Sequence, residues 1–375
     1  MKVYVFVIFD FTQKNIPLQP WRYLYEMALH LNKKGRVVII TNGEQGETEI
    51  GGLSVYAVPR ISPGDTGKLR EMIKSFGAYE VYWWASPRTY FYKVLFENLQ
   101  QKVNLLYTGP VYYSKEILPV LPFIGKDQWR TYVSELFTPH SLTRRLVNNP
   151  CINRVITLSN RNKERLMAIG CRPEKIVVTG IGKDVFGDEE KLVGTERRPK
   201  QLLYITSATK IRGIEMLLRV FARLVKMDPD LELRILARPS KGNNTKMVRA
   251  LCARLGLQQH VHIVEGWLSK SEILHELATC RVLVMPFLLV HSEMPVSILE
   301  AFSVGTPVIA PDLDGITELI QNRGLPYIHH KPGSLQAAIE LMLDDDTLHQ
   351  AYSSQALAFW RERPHWSYLF NTVSI

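Results

Sequence analysis

The sequence predicts an α/β fold of two doubly wound domains facing a cleft. Three observations carry this. The 375 residues exceed what one ordinary core serves and fit two domains. Strand-like and helix-like patterns alternate along both halves of the chain. Between residues 287 and 318, a polar loop feeds a short apolar helix, then a buried strand, then a second helix. In an open α/β sheet such a loop lies at the carboxyl edge, where ligands bind.

In order, residues 2–9 read as a strand, 11–20 as a Pro-containing loop, and 21–33 as a helix ended by Gly35. Residues 36–40 form the next strand, giving a βαβ unit with a right-handed crossover. A Gly/Glu-rich turn at 42–52 precedes strand 53–58, helix 68–76, and strands 81–85 and 104–108. Residues 109–130 are irregular, 131–147 helical, and 154–158 a strand whose end, Ser159, caps helix 160–169. Strand 176–179 and a turn at 180–186 lead into the charged linker 187–200.

The second half repeats the alternation: strand 202–206, helix 213–227, strand 231–236, helix 244–255, strand 261–264 and helix 269–278, with a Ser269–Glu272 capping box. Strand 282–286 follows. Pro295 suits the first position of helix 296–304, and Gly305 stops it. The expected domains are residues 1–180, 181–345 and a C-terminal helix, 346–375, returning to the first domain.

Composition narrows the function classes. The cysteines Cys151, Cys171, Cys252 and Cys280 form no CxxC pair and no cluster with histidine. This argues against a zinc site or a disulfide framework and for a reducing cytosol. The apolar start is interrupted at Asp10, far short of a membrane span, and reads as a first strand. The net charge of +10 is uneven: residues 1–175 hold 24 Lys+Arg against 14 Asp+Glu, and the remainder holds 22 of each. The basic first half is also aromatic, with Tyr82, Trp83, Trp84, Tyr90, Phe91, Tyr92, Tyr112 and Tyr113. It reads either as a solvated surface or as a face for anionic lipid. No RNA-binding motif accompanies it, and no nucleic acid partner is expected.

The candidate site follows from the loops. Free N–H groups at Val296 and Ser297, with the positive end of the helix dipole, suit a phosphate. Glu293 and Glu300 flank that position, so the ligand is expected to carry phosphate and hydroxyls. Lys210 and Arg212 follow a strand and open the helix at Gly213, where a guanidinium binds a diphosphate bidentately. The alternative is two solvated turn cations. Trp267 either lines a base pocket or is a core aromatic. Thr108 and Gly109 end a strand facing the predicted cleft. Asp10 ends the first strand, where an Asx turn competes with a ligand role.

Four blocks carry a family resemblance: Ile156–Ser159 with Lys175–Asp184, Leu203–Gly213, His262–Trp267, and Ser292–Glu318. As a set they resemble family 4 retaining glycosyltransferases of the GT-B class, which has two Rossmann-like domains. The match is close over residues 155–345 and holds only in overall pattern before that. Three departures stand out. The family has two glutamates eight positions apart, whereas Ser292 lies eight before Glu300 and Glu293 is one residue late. Its usual loop Arg and Lys positions hold Ser207 and Arg212. No histidine stands near Thr108 and Gly109, where relatives carry one, and His140 is the nearest later candidate.

The resemblance implies transfer of a sugar from a UDP- or GDP-linked donor to a hydroxyl acceptor, a glycan or lipid-linked saccharide, with retention. It implies catalytic roles for Glu293, Arg212 and Lys210. Donor contacts would come from Gly213, Trp267, Ser292, Met294, Pro295, Val296, Ser297 and Glu300, and acceptor contacts from Gly109, Thr108 and Asp10. Either Ser292 or Glu293 would touch the sugar. No DxD-like metal motif occurs in the positions expected to face the cleft, so the cations are expected to replace a metal, and no cofactor is expected. The expected location is the cytoplasm, at the cytosolic face of a membrane if the acceptor is lipid-linked. The rival readings are a catalytically silent nucleotide-sugar-binding subunit and a soluble disaccharide synthase acting on small acceptors.

Overall fold

Runs of consecutive apolar residues suit strands covered on both faces, and such runs form the centre of each sheet. In this computed structural model the described residues are all except 65, 126–128, 130–131, 134, 185–198, 240–243, 291 and 372–375. The linker expected at 187–200 therefore lies largely outside the described residues.

The first sheet contains β1 (Val3–Val7), β2 (Arg36–Asn42), β3 (Gly46–Ile50), β4 (Leu53–Val58), β5 (Glu80–Trp84), β6 (Lys102–Tyr107), β7 (Ile152–Thr157) and β8 (Ile176–Val178). Their order is β3-β4-β2-β1-β5-β6-β7-β8, parallel except for β3 against β4. Buried Val37–Ile40 and Tyr4–Val7 occupy its middle. Helices α1 (Trp21–Asn32), α2 (Thr66–Ser75), α3 (His140–Val147) and α4 (Asn160–Ala168) pack around it.

The second sheet contains β9 (Gln201–Thr206), β10 (Glu232–Ala237), β11 (Val261–Glu265), β12 (Val282–Val284), β13 (Val308–Pro311) and β14 (Gly324–Tyr327), ordered β11-β10-β9-β12-β13-β14 and all parallel. Around it lie α5 (Ile214–Met227), α6 (Thr245–Leu255), α7 (Lys270–Thr279), α8 (Val296–Ser303), α9 (Asp314–Ile320), α10 (Pro332–Asp344) and α11 (Asp346–Glu362). A last helix, α12 (Trp366–Leu369), lies on α1: Phe370 and Trp366 meet Tyr23 edge-on at 5.4 and 6.4 Å. In each sheet the strand order turns at its first strand, β1 and β9. The loops after β1, β9 and β12 thus leave the carboxyl edges at the switch points and open into one cleft.

Two elements differ from expectation. The stretch at 42–52 contains the antiparallel edge strand β3. Its residues Gly46-Glu-Thr-Glu-Ile50 are almost all exposed, so no apolar alternation marked it. The helix expected over 131–147 is interrupted: Tyr132, Val133, Glu135 and Leu136 are helical, the chain leaves the helix at 137–139, and α3 begins at His140 after Pro139. A proline has no N–H to give and disfavours a helical residue before it. Residues 131 and 134 lie outside the described residues.

Trp366 is wholly buried, and a Cβ on Gly182 would lie 2.8 Å from it. Trp366→Ala should therefore cost about 3–5 kcal/mol of stability in denaturant unfolding, by leaving a cavity where α12 meets α1.

Candidate functional site

Two cavities share the cleft. The first, about 670 Å³, lies between the loop after β1 and the carboxyl edge of the second sheet. Its floor includes Thr206, Leu236 and Trp267, and one wall is the start of α8: Pro295, Val296, Ser297 and Glu300. The second, about 490 Å³, lies on the first domain's side, with Asp10, Trp21, Trp84, Gly109 and Glu135 among its walls. Leu18, Gln19, Arg212 and Arg238 line both, so the cavities meet at a seam carrying two guanidiniums.

Each of these cations comes from a strand end. Arg212 ends the turn after β9 and stacks over Phe287, 4.8 Å from its ring centre. Arg238 follows β10 directly, and its Nε is buried without a hydrogen-bond partner among the described residues. Burial, then the neighbouring Arg212 charge, holds the Arg238 guanidinium below its usual value. Two crowded guanidiniums repel each other, and an anion between them relieves that cost.

The start of α8 is open. Pro295 precedes it and makes no side-chain cap, so the first N–H groups of the helix point toward the cavity with the positive dipole end. Ser292 lines the same cavity, and its buried Oγ has no partner among the described residues. Glu300 pairs with Lys270, whose Nζ lies 4.0 Å from Asp184. Asp184 in turn meets Arg22 at 2.7 Å, so a chain of ion pairs crosses the cavity between the domains. Trp267 is 49% exposed, which makes it a cavity wall rather than a core aromatic. Lys14 reaches across from the first domain, 5.9 Å from the Trp267 ring centre.

The structure thus brings together Arg212, Trp267, Ser292, Pro295, Val296, Ser297 and Glu300 in the first cavity, and Asp10 and Gly109 in the second. It does not bring Lys210, Gly213, Glu293, Met294 or Thr108 to either cavity, a correction to the expected site. Lys210 points to a separate hollow beside α5 and pairs with Glu215 at 3.2 Å. Gly213 has φ +75°, and a Cβ there would lie 1.7 Å from the Pro286 carbonyl, so close backbone packing requires the glycine. Met294 is a core residue, 3% exposed. Thr108 is buried; its hydroxyl accepts from the Trp84 indole at 3.1 Å. Asp10, at φ +52°, exchanges hydrogen bonds with Asn42, both at 2.7 Å, a pairing between the ends of neighbouring strands and not the local Asx turn considered for it. His140 lies outside both cavities and bonds the Tyr112 carbonyl at 3.0 Å.

Glu293 is the largest departure. It is wholly buried and reaches into the first domain. Its carboxylate accepts from the Thr157 hydroxyl at 2.7 Å, the Asn162 amide at 2.8 Å, the Leu158 N–H at 3.4 Å and the Ser159 hydroxyl. Its own N–H donates to the Thr108 carbonyl at 3.1 Å. Nearby, Arg165 joins Asp314 at 3.0 Å, and the Arg161 N–H donates to Glu318 at 2.6 Å. These contacts clasp the start of α4 between the domains. Burial pushes the Glu293 carboxyl up to about 8, against the hydrogen bonds that lower it.

Sequence reasoning missed Arg238, Gln19, Trp21, Trp84 and Glu135 as cavity residues. Arg238 had a usable signal: it directly follows an expected strand, at the carboxyl edge. Glu135 had none, because its position depends on how an irregular stretch folds.

Glu293→Ala should destabilise the protein by about 2–4 kcal/mol, because it leaves buried donors unpaired. A folded value raised from 4.5 to about 8 means the contribution of this group is present below about 4.5 and is lost as pH rises through about 8. Unfolding midpoints should therefore fall over that window, and Glu293→Gln should flatten the fall. Nucleotide affinity of the folded Gln variant, measured by calorimetry, should stay within about threefold of the parent, since the group touches no cavity.

Comparison with known proteins agrees with this geometry. Residues 188–358 match the family model described as Glycosyl transferases group 1. An uncharacterized glycosyltransferase of Methanocaldococcus jannaschii is 26% identical over 206 residues, 51% of this chain and 51% of that protein. The chain spans about half the length of the curated relatives it matches. Among solved structures, sucrose-phosphate synthase from Thermosynechococcus elongatus superposes with TM-score 0.73 at 14% identity, covering 99% of this chain and 97% of that one. An Anabaena protein solved with UDP and glucose superposes with TM-score 0.71 at 15% identity, covering 99% and 98%. The chain therefore has the GT-B fold of two Rossmann-like domains, and through residues 188–358 it is similar to the group 1 glycosyltransferases, as its motifs indicated.

Proposed function

We propose that the protein is a retaining glycosyltransferase that moves a sugar from a UDP- or GDP-linked donor to a hydroxyl of a glycan or lipid-linked saccharide. The observation that carries this is the seam: Arg212 and Arg238 line both cavities, beside the open start of α8. The first cavity takes the nucleotide, with Trp267 against the base and Glu300 accepting from the ribose hydroxyls once Lys270 releases it. The diphosphate lies between the α8 N–H groups and the two guanidiniums. Ser292, with its unpaired Oγ, faces the sugar.

In the reaction the bond from the anomeric carbon to the phosphate oxygen breaks, and its electron pair leaves with the diphosphate. The acceptor oxygen bonds to the same carbon, and its proton passes to the departing phosphate oxygen. The difficult charge is on that oxygen, and preorganised donors aimed at it lower the barrier. Two guanidiniums and a helix terminus supply this role without a metal ion. The Anabaena protein, solved with UDP and glucose, supports a nucleotide-sugar donor for this fold.

The first domain carries exposed Phe91, Val94, Trp129 and Phe137, 50–80% accessible, in the basic half of the chain. No described helix is long and apolar enough to cross a membrane. These features support an acceptor met at a lipid surface.

Arg212→Ala and Arg238→Ala should each lower turnover by about 10²–10³-fold, or 2.7–4 kcal/mol, whereas Lys210→Ala should leave it unchanged. The measurement is release of UDP or GDP from a donor panel with membrane extract as acceptor source. Full turnover of either Arg variant refutes the assignment, and nucleotide binding without transfer to any extract supports the silent-subunit reading instead. Addition of a chelator should not change the rate. Flotation on anionic vesicles should recover the protein at low salt and lose it as salt rises, since the basic face is screened within about 10 Å at 0.1 M. No binding at low salt counts against a membrane acceptor.

A further inference from the structure

The second cavity holds a specific set of unspent groups. Its two indoles, Trp21 and Trp84, meet edge-on at 5.5 Å. Both N–H groups are committed inward, Trp21 to the Phe9 carbonyl at 2.8 Å and Trp84 to the Thr108 hydroxyl at 3.1 Å. What the half-buried rings offer a ligand is therefore carbon surface. Other polar groups of the cavity are also committed. The Tyr107 hydroxyl donates to the Ser86 carbonyl, the Tyr112 hydroxyl to the Val290 carbonyl, and Asp10 accepts from Asn42.

Two side chains are different. Oε2 of Glu135 is buried with no hydrogen-bond partner among the described residues, and so are both amide atoms of Gln19. Gln19 stands at the seam between the cavities, whereas Glu135 lines only the second. A buried polar atom without a partner is costly unless a ligand satisfies it. The last torsion of Glu is broad, so a small rotation brings either oxygen to a ligand.

We infer that Glu135, with Gln19, reads the hydroxyls of a neutral pyranoside acceptor whose ring face lies on the Trp21–Trp84 corner. This deepens the proposed transferase reading and rests on it. A sugar ring presents an apolar C–H face and a rim of hydroxyls, and the cavity offers carbon surface and unspent hydrogen-bonding groups. Arg212 and Arg238 lie at the seam, where the donor diphosphate takes them, so the cavity keeps no further cation for an anionic acceptor among its described walls.

The protonation state fits a neutral ligand. Burial, then Asp314, pushes the Glu135 carboxyl up to about 8, so at neutral pH it both donates and accepts. The groups facing it are the Tyr107, Tyr112 and Tyr132 hydroxyls and Asp314, which Arg165 pairs at 3.0 Å; Arg212 lies beyond Tyr132. Deprotonation removes the donor and places a negative charge in the cavity.

The test uses the full chain saturated with UDP or GDP, whichever binds, titrated with the methyl glucosides, mannosides and galactosides and with octyl β-glucoside, followed by saturation-transfer NMR. At least one pyranoside should bind at pH 7. Glu135→Ala should weaken it about 10-fold, the loss of a hydrogen bond, and Gln19→Ala should weaken it similarly. Glu135→Gln, a neutral donor and acceptor, should bind at pH 7 within about threefold of the parent. Parent affinity should fall as pH rises through about 8, and the Gln variant should lose that dependence. Nucleotide affinity should be the same in the parent and both Glu135 variants, since Glu135 lines only the second cavity. If no pyranoside binds while UDP or GDP does, the inference fails and the transferase reading stands. Binding to Glu135→Ala as tight as to the parent also overturns it. Failure of both UDP and GDP to bind strikes the transferase reading itself. If the Ala variant does not fold, the Gln variant and the parent's pH profile decide the question.

Discussion

The relation between the two sheets depends on one buried carboxyl. Glu293 leaves the second domain's loop and enters a pocket of hydroxyl, amide and N–H donors at the start of α4. No cation pairs with it among the described residues; directional hydrogen bonds hold it. Such a group adds little net stability, because burying it costs about as much as its bonds return. It is strict about geometry, since losing any one donor leaves a polar atom unpaired. The Arg165–Asp314 pair and the Glu318 contacts to the α4 N–H groups lie around the same helix end. Together they hold the carboxyl edge of one sheet opposite that of the other, and the cavities exist because of that placement.

Across the cleft the electrostatics are asymmetric. Arg212 and Arg238 stand at the seam, and the start of α8 adds the positive end of a short dipole. The Glu300–Lys270–Asp184–Arg22 chain closes the first cavity with alternating charge. In the proposed reading, a diphosphate meets the two guanidiniums and ribose hydroxyls meet the Glu300 carboxylate. On the first domain's side the walls are aromatic, and their hydrogen-bonding groups are mostly committed to the protein. The two cavities therefore differ in kind: one is built for charge, the other for a ring with hydroxyls.

Much of the fold was legible because buried parallel strands and amphipathic helices have periods of their own. The alternation in both halves, the Ser159 and Ser269 caps and the stop at Gly305 all appear where local chemistry placed them. The exposed strand β3 was not legible, since an edge strand facing water has no apolar alternation to show. In the site, Ser292, Pro295, Val296, Ser297 and Glu300 were legible as one loop and helix, because contiguous residues share a local geometry. Lys210 was misplaced for a physical reason: in a tight turn, neighbouring side chains leave in different directions, and Arg212 takes the cleft side while Lys210 takes the other.

By itself the sequence determined the two-sheet α/β architecture, the loop and helix after β12 and the family resemblance. These follow from contiguous patterns and short-range chemistry. Only the tertiary structure decided that Glu293 is buried against the start of α4 and joins the domains, that Arg238 from the adjacent strand is the second cation at the seam, and that Glu135 and Gln19 stand unspent in the cleft. Each of these depends on residues far apart in the chain meeting across a sheet edge or a domain seam, and no local periodicity records such a meeting.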